Sequence, residues 1–229
     1  MACFLTSAGA TAAEARLDAA AIIRDTMKMT CSEQQQTIVV WFPLEYWKAS
    51  FADALTPVSP EEQARYLSVL RPYLFFIVIH SETGPSGAPH FEAEQAIRAR
   101  LTLLDQQGTR YKPLAAEDYD ADLDGFLTLM KPTLARAAGS FGQHCTICVF
   151  RAQTAKGAPI ANLMQEGRFG MVLGENKLNW NLPLNSLVRA KTCPECNESL
   201  SAAFRFCPYD GTLLPTMAAA TASTRPVTH

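Results

Sequence analysis

The sequence predicts a mainly β chain with inserted helices, arranged as an immunoglobulin-like antiparallel sandwich and followed by a small cysteine-bearing unit at the C-terminus. Three observations predict it. Six or seven segments carry strand signals bounded by turn residues. Helix and strand do not alternate regularly, which argues against a doubly wound parallel sheet. Of the seven cysteines, Cys193, Cys196 and Cys207 fall together near the C-terminus, a local cluster rather than a framework of staples.

Composition sets the bounds. The chain has 229 residues, 48% of them hydrophobic and 18% charged, with a formal net charge of -2. That apolar fraction is too high for a disordered protein. The length suits one good-sized core, or one core plus a small satellite. No apolar run approaches the roughly 18 residues of a membrane span. The near-neutral balance argues against a dedicated nucleic-acid binder, which carries a basic stripe.

The elements follow in order. Residues 1–34 form an N-terminal segment. Its first fifteen residues have two readings: part of an export signal, from the small-x-small form of Ala13-Glu14-Ala15, or an unstructured Ala-rich terminus. Residues 16–29 place Leu17, Ala20, Ile23 and Met27 at helical spacing. The β-rich core then spans 35–188. Residues 37–42 read as a strand that Pro43 ends, and Tyr46, Trp47 and Phe51 fit a short helix against the core. Ser59-Pro60-Glu61-Glu62 is a helix start, with Ser at the N-cap, Pro in the first turn and Glu at N3. That helix should reach about Leu70 and stop at Pro72.

Residues 74–79 are a continuous apolar run of strand length, as in a strand buried on both faces. Residues 97–104 alternate, which predicts a strand with Ile97, Ala99, Leu101 and Leu103 on one face. Asp105–Gly108 is a turn into a hairpin partner at Thr109–Leu114. Residues 121–138 read as a helix broken at Pro132 and stopped at Gly139. A strand at 145–152 and a last hairpin, 167–174 with 177–184, complete the core. Residues 186–192 link the core to the cysteine unit at 189–215, and residues 216–229 are a tail expected to be disordered.

The cysteine unit carries the chemistry. Cys193-Pro194-Glu195-Cys196 supplies two thiolates from one tight turn, half of a tetrahedral zinc site. Cys207-Pro208-Tyr209-Asp210-Gly211 is a second turn of the same length with Asp210 in the fourth place. A carboxylate also ligates zinc, though it is harder than sulfur. Asn197 and Gly211 follow the two turns, where a positive φ is required. Leu200, Phe204, Phe206, Leu213 and Leu214 are the candidate miniature core. So small a unit needs a metal to hold it.

The stretch from Cys193 to Leu214 resembles the bacterial zinc ribbon with two CPxC-type knuckles, in the variant whose second knuckle reads CPxDG. The resemblance implies a structural Zn²⁺ held by Cys193, Cys196, Cys207 and Asp210. The apolar strand at 74–79, the Leu103–Leu114 stretch, the Asn179–Leu184 strand and the ribbon are together similar to a group of uncharacterised bacterial exported proteins. Export to the periplasm or the medium is what that second resemblance implies, with a cytoplasmic location as the alternative. It supplies no catalytic residues.

Three further patterns compete weakly. Cys145-Thr146-Ile147-Cys148 lies in a strand, where residues three apart face opposite sides, so a redox role is not expected. Asp120, Asp122, Asp124 and Gly125 begin like a calcium loop, but Lys131 stands where its bidentate Glu belongs. His80, Glu82, His90, Glu92 and Glu94 share one segment, expected to be an irregular exposed loop.

The function these features favour is a non-enzymatic exported binding or structural protein with a structural zinc ribbon, acting through a protein partner. A cytoplasmic ribbon protein contacting nucleic acid or the transcription machinery is the first alternative. The ribbon's own charge opposes it, with Arg189, Lys191 and Arg205 balanced by Glu195, Glu198 and Asp210. The second is a hydrolase or metal-dependent enzyme using the His80–Glu94 loop.

Overall fold

The computed structural model describes residues 17–54, 57–137, 139–188 and 190–215. The export-signal reading of residues 1–15, Cys3 and the tail at 216–229 lie outside the described residues.

Asp18 caps helix α1 (Ala19–Thr26), its carboxylate accepting from the Ala21 N–H at 3.0 Å. The helix stops three residues before the expected end. Met27–Cys31 becomes strand β1, because it can pair in full with β2 (Gln35–Phe42), from Met27 opposite Val40 to Cys31 opposite Gln36. The buried residues of α1 are therefore Ile22 and Thr26, an i, i+4 pair, and Met27 is exposed.

Helix α2 (Leu44–Ala52) follows Pro43, and α3 (Pro60–Leu70) begins in the expected capping box between Ser59 and Glu62. Strand β3 (Tyr73–Thr83) is the centre of the first sheet. It pairs antiparallel with β2 along one edge. The other edge is shared by β4 (Pro89–Phe91) and β7 (Thr146–Arg151). Two-sided burial is realised by alternation: Leu74, Phe76 and Val78 enter one core cluster, and Phe75, Ile77 and Ile79 enter another.

The second sheet is antiparallel in the order β6-β5-β8-β9, from β5 (Thr102–Leu104), β6 (Arg110–Tyr111), β8 (Gly167–Leu173) and β9 (Asn176–Leu182). Trp41, Phe76 and Phe150 of the first sheet share a core with Phe169, Met171 and Trp180 of the second. Phe169 and Trp180 stack with ring centroids 5.0 Å apart. The opposite face of the first sheet is covered by helices, through Trp47 of α2, Leu70 of α3, and Leu123 and Phe126 of α5 (Ala121–Ala137). The antiparallel sheets agree with the sequence reading. Helix, however, takes about as large a share as strand, because the helical layer is needed to bury that outer face.

Two local expectations are corrected. The alternation at 97–104 is not one strand: Glu94–Arg100 is helix α4, and only Thr102–Leu104 is strand. Ile97 and Leu101 are both fully buried while Ala99 between them is exposed, which a helix turn explains and one strand face does not. Helix α5 continues through Pro132 to Ala137. Leu127, Met130 and Leu134 pack on the same cluster from both sides of the proline, and their burial offsets the missing hydrogen bond. Among the described residues no helix is long and apolar enough to cross a membrane.

Candidate metal centre

The C-terminal unit is built on two turns with the same hydrogen bonds. In the first, the Cys193 N–H donates to Glu198 O at 3.0 Å and the Asn197 N–H returns to Cys193 O at 3.0 Å. In the second, the Cys207 N–H donates to Thr212 O at 2.8 Å and the Gly211 N–H returns to Cys207 O at 2.9 Å. Asn197 has φ 60° and Gly211 φ 76°, the left-handed conformation the sequence called for. Asn197 is the one non-glycine residue with positive φ among the described residues. The shared pattern gives Asp210 the place in the second turn that Cys196 holds in the first.

The turns bring the four expected ligand atoms together. One atom each from Cys193, Cys196, Cys207 and Asp210 lies within 4.8 Å of the others. Cys196 Sγ is 3.7 Å from Cys207 Sγ, and Cys193 Sγ is 3.3 Å from Asp210 Oδ2. Bond lengths of about 2.3 Å to sulfur and 2.0 Å to oxygen give tetrahedral edges of about 3.8 and 3.5 Å. The two closest contacts are within about 0.2 Å of those edges, and the whole set, within 4.8 Å, closes on a tetrahedral cation with shifts of up to about 1 Å. All three cysteines are free thiols, and 3.7 Å is far beyond the ~2.05 Å of a disulfide.

Electrostatics among the protein groups favour a cation. The Thr212 N–H and hydroxyl hold the Asp210 carboxyl well below the usual carboxylate range. The Cys196 thiol is pushed up to about 12: the Glu198 N–H pulls it down, but desolvation and its contacts with Asp210, Cys193 and Cys207 outweigh that. Gathering thiolates beside a carboxylate is unfavourable until a cation compensates them.

The support around the site is partly as expected. Leu200 and Leu214 are buried with Cys193 and Cys207. Phe204, Phe206 and Leu213 are instead exposed, because so short a β10–β11 ladder (Lys191–Thr192 with Ser199–Leu200) shelters one side only. Sequence reasoning missed the anchor to the body. Lys191, on β10, donates to Glu166 Oε1 at 2.8 Å and to Phe204 O at 2.9 Å. Ser201 adds a hydrogen bond to Asn185 at 2.7 Å.

The other sequence candidates resolve differently. Cys148 is buried between the two sheets and Cys145 packs on the helix side, so the pair does not meet. Burial pushes the Cys148 thiol up to about 12, the reverse of a reactive thiol. Asp120 is a helix-capping residue: it accepts from the Leu123 N–H at 2.8 Å and from the Tyr73 hydroxyl at 2.7 Å. Asp122 and Asp124 are exposed in the first turn of α5. The segment at 80–94 is not an irregular loop. β3 runs to Thr83, a tight turn follows, and β4 returns. His80 is thus buried, Glu82 and Glu92 approach it, Glu94 pairs with Arg98 on α4, and His90 is exposed.

No protein-family model matches the chain, and no curated protein or solved structure shows significant similarity to it.

Proposed function

We propose that the chain is a non-enzymatic, exported binding or structural protein whose C-terminal unit is a zinc ribbon with one structural Zn²⁺. The convergence of Cys193, Cys196, Cys207 and Asp210 within 4.8 Å of one another carries this reading. Zinc suits a mixed thiolate and carboxylate set better than calcium or magnesium, which take oxygen ligands alone. Four protein ligands close the shell, so the ion has no open position for a substrate and serves to fold the ribbon.

The two sheets share a buried core, which supports an immunoglobulin-like sandwich as a binding scaffold with an added helical layer. A protein partner is supported by the ribbon surface. Phe206 and Leu213, joined by a β-bridge, are 54% and 60% exposed, and Tyr209 is 74% exposed. Apolar and aromatic surface of this kind suits a protein contact better than phosphate. An enzymatic role for the 80–94 segment is not favoured, since the His80 side chain is fully buried.

Fractionation of the native cell with N-terminal sequencing of the mature protein tests the export reading. Recovery outside the cytoplasm with a processed N-terminus supports it, and recovery in the cytoplasm with an intact one contradicts it. Salt-sensitive retention on DNA or RNA by the zinc-loaded chain would favour the nucleic-acid alternative.

A further inference from the structure

The β3–β4 hairpin places a second set of ligand-type side chains on one face. Glu82 pairs across the ladder with His90, and the Glu92 N–H donates to His80 O at 3.0 Å. With the two-residue period of a strand, His80, Glu82, His90 and Glu92 share that face.

Two of these side chains are held by one end and free at the other. His80 Nδ1 is 2.8 Å from Thr37 Oγ1, which in turn accepts from Asn176 Nδ2 at 3.1 Å. His80 Nε2 is buried and has no hydrogen-bond partner among the described residues. Glu92 Oε1 accepts from Arg100 Nη1 at 2.7 Å, while Glu92 Oε2 is buried and also has none. The two free atoms face each other at 3.9 Å, and Glu82 Oε1 lies 3.9 Å from the same Nε2. That separation is too long for a hydrogen bond. Buried polar atoms left unpaired are rare and call for an explanation.

We propose that His80, Glu82 and Glu92 form a divalent transition-metal site separate from the ribbon, of the class that takes Zn²⁺ or Ni²⁺. An imidazole with two carboxylates suits these ions rather than Ca²⁺ or Mg²⁺. Metal bonds of about 2.0–2.2 Å set neighbouring ligand atoms about 3.4 Å apart in a tetrahedron, so each 3.9 Å gap to Nε2 must close by roughly half an ångström and the Glu82 carboxylate must also move toward Glu92. Glu82, with its side chain 61% exposed, is free to swing inward and is the point of entry for the ion. The outer contacts are already those a metal site needs. Thr37 and Asn176 fix the imidazole through Nδ1, and Arg100 fixes Glu92 through Oε1, leaving Nε2 and Oε2 for the ion. The competing explanation is an imidazolium–carboxylate pair with no metal.

The test is calorimetric titration of the full-length, zinc-loaded protein with Ni²⁺ near pH 7.5, with zinc content measured before and after. The proposal expects one Ni²⁺ bound with zinc retained. It expects affinity at least tenfold weaker in Glu82→Gln and binding lost in His80→Gln. Glu82 is exposed and makes no side-chain hydrogen bond among the described residues, so Glu82→Gln keeps the test valid even if His80→Gln does not fold. Absence of uptake at millimolar Ni²⁺, or uptake unchanged in Glu82→Gln, overturns the site and leaves the metal-free pair.

Discussion

Lys191 Nζ lies 2.8 Å from Glu166 Oε1 and joins the cysteine-bearing unit to the bend that leads into β8 of the second sheet. The lysine side chain is 6% exposed and the glutamate 40% exposed, so the pair is only half dry. The same ammonium satisfies Phe204 O. Lys191→Met should free that carbonyl and release the unit from the body, at about 1–3 kcal/mol for the unpaired acceptor. Amide exchange over 191–214 should then quicken while β2 and β3 keep their protection. Unchanged exchange would show that the ion pair does not anchor the unit.

Asp210 should set the strength of the metal site. Asp210→Cys completes four sulfur ligands and should tighten zinc binding. Asp210→Ala leaves three and should weaken it at least tenfold, consistent with the 3.3 Å approach of Asp210 to Cys193. Competition with a zinc-sensitive chelating dye measures both. Equal affinities in all three proteins would remove Asp210 from the ligand set.

Cys193→Ser, or removal of metal by a strong chelator, should unfold residues 191–214 and leave the body folded, because each has its own buried cluster. A heteronuclear NMR spectrum should lose the dispersed signals of the unit and keep those of Trp41 and Trp180. Collapse of the whole spectrum would mean that the two cores are one cooperative unit.

Arg98 is a keystone of the α4 segment. It donates to Leu114 O at 3.2 Å, to Tyr119 Oη at 3.3 Å, to Glu94 Oε1 at 2.9 Å and to Ile147 O. Arg98→Met leaves two carbonyls without this donor and should cost about 2–4 kcal/mol in urea unfolding. Arg98→Lys should recover little, because an ammonium cannot reach a fan of acceptors. A loss below about 0.5 kcal/mol would contradict this role.

Asp105 gives a pH signature. Burial alone would raise its pKa, but the Tyr111 hydroxyl and the Thr109 and Gln107 N–H groups hold the carboxyl below its ordinary value. A lowered folded pKa contributes stability that is fully present above the unfolded value of about 3.9 and is lost as pH falls through the folded value. The stability difference between wild type and Asp105→Asn should therefore be constant above about pH 5 and shrink below about pH 4. A difference that does not shrink in acid would exclude the charged carboxylate as its source.

Much of this fold was legible in the sequence where local chemistry and tertiary packing agree. Ser59 and Glu62 form the capping box their spacing suggested. The apolar run at 74–79 lies at the centre of a sheet buried on both faces. The clustered residues Cys193, Cys196, Cys207 and Asp210 were legible because each tight turn brings its own pair together by local geometry. Illegible were features set by partners far along the chain. Met27–Cys31 left its helix for a strand already pairing at Gln35–Phe42. Ile97 and Leu101 satisfy both a helical and an alternating pattern, and Arg98 reaching Ile147 O belongs with the helical one. The environment of His80 depends on Thr37, Asn176 and Arg100, none near it in sequence.

The zinc reading stands most directly on the metal content and coordination of the purified full-length chain. Elemental analysis with zinc-edge X-ray absorption should give one zinc per chain, with three sulfur neighbours at about 2.3 Å and one oxygen neighbour at about 2.0 Å. A metal-free chain whose residues 191–214 nonetheless stay folded would contradict it.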